Sequence, residues 1–198
     1  MYTSDVPKLW DSTIDEHRRQ VRDAIMETTW SLIDERGLLS VTMSLIAQET
    51  GIGRATLYKY FPDVEAILVA AHQRHVDAHL ATLTTLKDEV GPARDRLRAV
   101  AAGYARICQM RVRHGAADVG PLLHRGEQVA QAEAELHRLF SDVLASAQAE
   151  GDVRDDVPAD ELASLCLHAL GAAGSLESDD AVRRLVDVAL DAFSPRPA

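Results

Sequence analysis

Apolar residues recur at intervals of three and four along almost the whole chain, and no segment shows the sustained apolar–polar alternation of a half-exposed strand. The pattern predicts an all-α protein of about eight or nine helices. Glycine and proline interrupt it at Gly37, Gly51, Pro62, Gly91 and Gly151, where we expect helices to end.

In the first quarter of the chain, the pattern of apolar residues predicts one long helix followed by two short ones. The apolar face of the long helix carries Ile14, Val21, Ile25, Thr28 and Leu32. Gly37 ends this helix, Thr42 caps the short helix "MSLIAQET", and Gly51 supplies the positive φ of a tight turn. The second short helix, "RATLYKYF", ends at Pro62, and Asp63 caps the longer helix that follows.

Two short helices joined by a glycine-containing turn, with a long helix on either side, form the pattern of a DNA-binding helix-turn-helix. Leu57 and Phe61 are four residues apart and should face the core, which leaves an outer face of Arg54, Ala55, Tyr58 and Lys59. Its two cations can contact phosphates or base edges, the small alanine permits close approach, and the tyrosine hydroxyl can donate to a phosphate. The alternative is a structural corner that binds nothing.

The charge of the chain limits where nucleic acid could bind. Its 198 residues carry a formal net charge of −10, which argues against a broadly basic DNA-binding surface. Residues 1–63 have a net charge of −3, whereas "GIGRATLYKYF" carries two positive charges and no negative one. Phosphate contacts act within one Debye length, roughly 8–10 Å, so a short local basic element is sufficient.

The two cysteines, Cys108 and Cys166, lie far apart in the sequence and in no metal-ligand spacing. With no secretory segment visible, we expect reduced thiols in a cytoplasmic protein. No apolar run approaches the roughly 18 residues of a membrane-spanning helix, so no membrane partner is expected. No cofactor is expected either.

The N-terminal segment strongly resembles the TetR family of bacterial transcriptional regulators over about residues 18–68. The resemblance is carried by "RRQVRDAIMETTWSLIDERG", by Thr42 with Ile46 and Ala47, and above all by "GIGRATLYKYFPDVEAIL". It implies that the partner is double-stranded operator DNA and that Thr42 and Tyr58 contact phosphates. It also implies that further residues lie at the floor or edge of the major groove, or near it. Those at the groove are Arg54, Ala55 and Lys59, and those nearby are Thr56 and Tyr60.

Three positions depart from the family pattern. Gly53 stands where a serine or threonine usually precedes the recognition helix, Val64 stands where a lysine is usual, and Met43 replaces a threonine or small polar residue. A missing lysine removes about one counterion from the salt dependence of DNA binding. DNA affinity is then lower than is typical of the family, or it depends on three arginines of the first helix. These are Arg18, Arg19 and Arg22.

The elements group into four segments of the chain. Residues 1–13 are expected to form a flexible arm and residues 14–63 the helix-turn-helix domain. Residues 64–194 would then form a helical ligand-binding and dimerisation domain, and residues 195–198 a tail.

The last two predicted helices form a hairpin with apolar faces on both members and the small residues "ALGAAG" at the end of the first. Such a hairpin can bury one face in its own domain and another against a second copy, as a four-helix bundle. Because a two-fold pair reads a palindrome, we expect a homodimer rather than a hairpin that only closes the monomer core. The expected interface residues are Leu162, Leu165, Ala169, Ala173, Val182, Leu185, Val186 and Ala189.

Three histidines in "AHQRHVDAH" are spaced by three and four and are expected on the apolar face of their helix: His72, His75 and His79. They could line a small-molecule pocket, ligate a transition metal with a further donor, or be buried neutral imidazoles. No metal is assigned; the further donor would be His114, His124 or His168. For a pocket, the wall would be completed by Tyr104, Cys108, Phe140 and Leu144.

Together these features predict a dimeric repressor that leaves a palindromic operator when an unidentified small-molecule effector binds in the second domain. The resemblance implies that the fourth helix tilts and changes the spacing of the two DNA-reading modules. The alternative is a ligand- or metal-binding helical protein or enzyme with a vestigial helix-turn-helix. No Ser/His/Asp, Cys/His or Gly-rich phosphate motif is visible, so no catalytic residue is assigned.

Overall fold

The computed structural model of the protein describes residues 9–89, 91–113 and 127–195. These residues form eight α-helices and two 3₁₀ turns and contain no β-strand, which confirms the all-α prediction. None of the described helices is both long enough and apolar enough to cross a membrane. The helices are α1 (Leu9–Arg36), α2 (Met43–Thr50), α3 (Arg54–Tyr60), α4 (Val64–Glu89), α5 (Ala93–Arg113), α6 (Glu127–Ala149), α7 (Ala159–Gly171) and α8 (Asp179–Asp191).

The long first helix begins earlier than the sequence pattern predicted. It starts at Leu9, so residues 9–13 are helical rather than part of a flexible arm, and residues 1–8 lie outside the described chain. Ile14 is 51% exposed, and its assignment to the apolar face of this helix was therefore wrong. The buried part of α1 begins further along, at Ile25, because the N-terminal turns of α1 have no core to cover.

The first compact unit, Met1–His72, has a core of side chains from α1, α2, α3 and the first turns of α4. Leu57 and Ile46 have no exposed surface and Phe61 has 2%, which confirms their expected inward orientation. Thr29 is also fully buried, and its hydroxyl donates to the carbonyl oxygen of Ile25 at 2.8 Å. A buried hydroxyl must be hydrogen-bonded, and this contact inside α1 meets the requirement.

The division between the two units falls inside α4, after His72, rather than before this helix at residue 63 as predicted. Asp63 does cap α4, since its carboxylate accepts from the Ala66 amide at 2.8 Å. However, Ile67 and Ala71 are buried in the core of the first unit. The first two turns of α4 therefore belong to the first unit, although the backbone begins a new helix at Val64.

The second unit, Gln73–Ala198, has its core between α5, α6, α7 and α8. Its largest fully buried side chains include Phe140, Leu144 and Leu170, and Phe193 is 2% exposed. The loop between α6 and α7 is held by Gln148, whose side-chain amide donates to two backbone carbonyls at 2.8 Å each. These two hydrogen bonds satisfy backbone groups that a loop beside a core would otherwise leave unpaired.

Both cysteines lie in this second core and form no disulfide. Burial raises the pKa of the Cys166 thiol to about 12, because the surrounding apolar groups disfavour the thiolate. Since the thiolate is the reactive form, Cys166 acts as a small apolar core residue.

Candidate nucleic-acid interface

The turn between α2 and α3 sets the position of the candidate recognition helix. Thr42 caps α2, its hydroxyl oxygen accepting from the Leu45 amide at 3.2 Å. Gly51 ends α2 in the left-handed region, at φ 71°, and its amide donates to the Gln48 carbonyl at 3.2 Å. Both features were expected from the sequence, and together they fix where α3 begins.

α3 exposes one face and buries the other. Leu57 is completely buried, whereas Tyr58 is 47% exposed. At 100° per residue, Ala55 and Lys59 lie close to the centre of the side opposite Leu57, with Thr56 and Tyr58 at its edges. Arg54 is only about 60° from Leu57 around the helix, but it is exposed because it is the first residue of α3. Ala55, Thr56 and Lys59 are exposed as well.

The outer face of α3 is basic and uncommitted. Among the described residues, Arg54, Tyr58 and Lys59 form no hydrogen bond or ion pair. α3 contains no carboxylate, so nothing on the helix itself neutralises the two cations. The side chains that the sequence assigned to DNA contact are therefore available there, with one exception.

Tyr60 is the exception. Its side chain is half-buried and packs against the first core, on the same side of α3 as Leu57 and Phe61. The expectation that Tyr60 lies beside the DNA does not fit this placement. The physical reason is the helical period, which puts residue 60 only about 60° around the helix from the buried Leu57.

Arg22 has a role that the sequence reasoning missed. Its guanidinium carbon lies 4.4 Å from the centroid of the Phe61 ring, a cation–π contact, and its Nη1 donates to the Tyr60 carbonyl oxygen at 3.5 Å. This carbonyl is at the C-terminal end of α3, where a cation also interacts favourably with the helix dipole. Arg22 therefore ties α1 to the end of α3 rather than standing free for a phosphate. The spacing to "YF" gives no local signal of this, because the partners are 38 residues apart.

Arg18 and Arg19, and two of the three positions that depart from the family pattern, have clear surroundings in the structure. Arg19 pairs with Glu16, and Arg18 is exposed. Met43 is buried in the first core and Val64 packs against it, so neither position offers a side chain to a ligand of α3.

Comparison with known proteins identifies the fold and the family. A family model described as bacterial regulatory proteins, tetR family, matches residues 25–71, and a model of the C-terminal domain of SbtR-like transcriptional regulators matches residues 99–195. The chain belongs to the TetR family.

Relatives of known sequence or structure agree with this placement. An HTH-type transcriptional regulator of Staphylococcus aureus (strain USA300) is 34% identical over 71 residues, which cover 36% of this chain and 38% of the relative. The match thus spans less than half the length of the curated relative.

Solved structures show the same fold over nearly the whole chain. A TetR/AcrR-family transcriptional regulator from Thermobifida fusca has a TM-score of 0.76 at 19% identity, covering 86% of this chain and 96% of that one. The ketosteroid transcriptional regulator KstR2 of Mycobacterium tuberculosis has a TM-score of 0.64 at 18% identity, covering 88% and 95%.

In this TetR-family chain, the three histidines of α4 do not share one buried face. His72 and His79 are half-buried, but His75 is exposed, so its assignment to the apolar face was wrong. Although the His75 side chain is exposed, its pKa lies below the usual value, first because neighbouring atoms partly remove it from water and second because the Arg74 guanidinium repels the protonated form. The described residues contain no group of three His, Cys, Asp or Glu side chains placed to hold a metal ion. His114 and His124 lie outside the described chain.

The other residues assigned to an effector pocket fill the core of the second unit. Phe140 and Leu144 have no exposed surface, and Cys108 is 7% exposed. The Tyr104 and Phe140 rings meet edge to face, with centroids 5.5 Å apart and planes at 72°. These contacts are those of a packed core, and the sequence cannot separate core from pocket wall because both are apolar.

Most residues assigned to the dimer interface are also core residues. Leu165, Ala169 and Leu185 retain exposed surface, with Leu165 at 56%. The remaining five are at most 7% exposed in the single chain: Leu162, Ala173, Val182, Val186 and Ala189. The most regular apolar stripe of each helix covers its own core, so these five positions were assigned wrongly.

A second, weaker apolar stripe runs along the outer side of this hairpin. Along α8 and its C-cap, Ala181, Leu185, Val188 and Ala192 follow a spacing of four, three and four, and Val188 is 68% exposed. α7 and the 3₁₀ turn after it contribute the exposed or half-exposed side chains of Leu165, Ala169 and Ala172. We call these seven residues the hairpin outer face. The spacing on α8 was a signal in the sequence that the stronger core stripe obscured.

The side chains of His137 and Ser164 are in contact. The His137 Nε2 lies 3.0 Å from the Ser164 hydroxyl and 3.1 Å from the Asp160 carbonyl oxygen. Ser164 is also bonded to the Asp160 carbonyl at 3.2 Å. Because both partners are used in holding α6 against the start of α7, this contact is a structural tie between the two helices.

The two glycines that flank Ile52 provide a matched pair of substitutions. Gly53 precedes α3 at φ −65°, and a side chain there would meet only the Thr56 hydroxyl, at 3.9 Å. Gly53→Ser should therefore cap α3 and stabilise the first unit by about 0.5–1 kcal/mol. Gly51→Ser, at φ 71°, should destabilise it by about 1–2 kcal/mol, since a side chain is strained in the left-handed region.

Both changes can be measured by urea unfolding followed by tryptophan fluorescence, because Trp10 and Trp30 both belong to the first unit. Equal effects of the two substitutions would contradict the assigned backbone geometry of the turn.

Proposed function

We propose that this protein is a dimeric transcriptional regulator that binds a palindromic operator through α3 and is released from it by a small-molecule effector. The observation that carries the proposal is the outer face of α3. It is a small, uncommitted basic surface on a chain with a net charge of −10. A folded acidic protein has no structural need for such a face, whereas a major-groove reader requires one.

Different residues of this face suit different parts of the DNA. Ala55 is at the centre and small, so the helix axis can approach the base edges closely. Arg54 and Lys59 provide donors for phosphates or for guanine edges, and the Tyr58 hydroxyl suits a phosphate at the rim. Thr42 accepts from the Leu45 amide, so its hydroxyl proton remains available to donate to a phosphate.

The acidic remainder of the chain supports a single mode of docking. Carboxylates elsewhere repel the DNA backbone, so approach is favourable only where α3 comes first. Thr56 can contribute a hydroxyl at the edge of the same surface. The partner is double-stranded DNA, and affinity should fall steeply with salt because it rests on phosphate contacts.

The hairpin outer face is the surface that supports a homodimer. It exposes Val188 at 68% and Leu165 at 56%, and its other members are alanines and a leucine that permit close helix packing. Two such hairpins would meet across a two-fold axis as a four-helix bundle. A two-fold dimer presents two α3 helices to the two halves of a palindrome.

Repression, release by an effector, a cytoplasmic location and the absence of enzymatic activity are part of the same proposal. They are supported by membership of a family of transcriptional regulators. An effector must bind the DNA-bound and the free states with different affinities, or nothing switches.

Ala55→Glu should abolish sequence-specific DNA binding. The substitution places a carboxylate at the centre of the α3 face, where it would meet the acceptor-rich base edges and the phosphates, and we expect affinity to fall by at least about 100-fold. The measurement is fluorescence anisotropy with a duplex chosen from a random pool by the wild-type protein. Ser31→Glu, on an exposed position of α1, is the charge-matched control and should bind as the wild type does. Selection of no sequence by the wild type, or equal loss in both variants, would contradict the proposal.

Val188→Asp should convert the dimer into a monomer. Placing a charge at the centre of an apolar interface leaves it unpaired and desolvated, which should weaken association by at least about 100-fold. Sedimentation equilibrium measures this directly. Leu39→Asp is the control, since Leu39 is fully exposed in the turn after α1 and lies on no apolar face. A Val188→Asp protein that remains dimeric would exclude the hairpin outer face as the interface.

A further inference from the structure

A groove of about 340 Å³ lies between α5 and α8, on the surface of the second unit. We infer that this groove binds a small zwitterionic molecule with an aliphatic body, of the kind represented by an aliphatic amino acid. Its floor is apolar, with Val182 and Val186 from α8 and Ala102 from α5. Its charged side chains come from both helices: Arg98, Arg106, Asp179, Arg183 and Asp187.

The two helices run antiparallel along the groove. Arg98 donates to the Asp187 carboxylate at 2.5 Å, and Gln109 donates to the Leu176 carbonyl at 3.2 Å. Residue numbers therefore rise along α5 as they fall along α8. Arg106 lies eight residues after Arg98 on α5, and Asp179 lies eight residues before Asp187 on α8. Both line the other end of the same groove.

These two arginine–aspartate pairs differ in one respect. The first is closed by an ion pair, whereas Arg106 and Asp179 form no hydrogen bond or ion pair with each other or with any other described residue. Arg183 pairs with Asp180. The groove thus offers one open guanidinium and one open carboxylate, separated by an apolar floor.

This arrangement selects for a ligand with both charges. A carboxylate can take a bidentate contact from the Arg106 guanidinium, and an ammonium group can donate to the Asp179 carboxylate. A simple anion would also meet the carboxylates of Asp179 and Asp187, and a simple cation would meet the arginines, so either alone is disfavoured. The aliphatic part of the molecule would cover Val182 and Val186 and exclude water from both contacts.

The groove stays accessible in the proposed dimer. Asp179 and Val188 are nine residues apart, which places them on opposite sides of α8 at 100° per residue. The inference does not depend on DNA binding, so each can fail without the other.

Two other roles of the charged residues compete with ligand binding. Asp179 is in the first turn of α8, where a carboxylate is favourable without any ligand. Arg106 and Asp179 could also close onto each other in solution as Arg98 and Asp187 do. The experiment must therefore separate a ligand site from a helix-stabilising charge and from a simple ion pair.

The test is an NMR titration of the full-length ¹⁵N-labelled protein with L-valine and L-leucine. Isobutylamine and isobutyrate serve as probes that keep the aliphatic body but carry only one charge. For a ligand of this size we expect a dissociation constant on the order of 1 mM, with saturable shifts of the amides around Arg106 and Asp179. The singly charged probes should bind at least about 10-fold more weakly, since each lacks one charge-assisted contact.

Matched variants make the assignment specific. Arg106→Gln and Asp179→Asn should each weaken valine binding at least about 10-fold. Arg94→Gln, an exposed arginine of α5 outside the groove, and Asp191→Asn, an exposed acid at the other end of α8, should leave it unchanged. The inference is overturned if neither amino acid gives saturable shifts up to about 20 mM. It is equally overturned if the singly charged probes bind as well, or if the control variants lose binding too.

Discussion

The burial of Leu57 and Phe61 is the constraint on which the exposed basic face of α3 depends. With these two side chains fixed in the core of the first unit, the helical period directs Ala55 and Lys59 outward, and Arg54 is exposed in the first turn of the helix. Arg22 reinforces the arrangement from α1 by lying over the Phe61 ring and donating to the last turn of α3. A short helix of seven residues is not stable alone, so the direction of its exposed face is set by these core contacts rather than by its own sequence.

Charge then distinguishes that face from the rest of the chain. The chain is acidic as a whole, and α3 carries no carboxylate, so the positive charge is concentrated where the helix is most exposed. In the second unit, the charged side chains are arranged differently. There, arginines and aspartates alternate between α5 and α8, one pair closes, and the groove beside the open pair suits a neutral zwitterion rather than a polyanion.

The sequence predicted best the features that arise from local chemistry. The left-handed Gly51, the caps Thr42 and Asp63, and the inward Leu57 are each determined within a few residues, and the structure confirms them. It predicted poorly what depends on tertiary contacts. Arg22 meets a partner 38 residues away, Tyr60 turns to the core, and regular apolar stripes such as Val182–Val186–Ala189 fill the monomer instead of a dimer interface. An apolar residue at helical spacing must be buried somewhere, but spacing alone does not say against which surface.

The central claim is that the cations of α3 contact DNA phosphates or base edges. The most direct measurement is the salt dependence of operator binding by the wild type, by Lys59→Gln and by the control Arg36→Gln, whose side chain is exposed at the end of α1. In a plot of log affinity against log salt concentration, Lys59→Gln should make the slope less negative by about 0.9 per subunit, whereas Arg36→Gln should leave it unchanged. A slope that is the same for Lys59→Gln and the wild type, with unchanged affinity, would contradict the account.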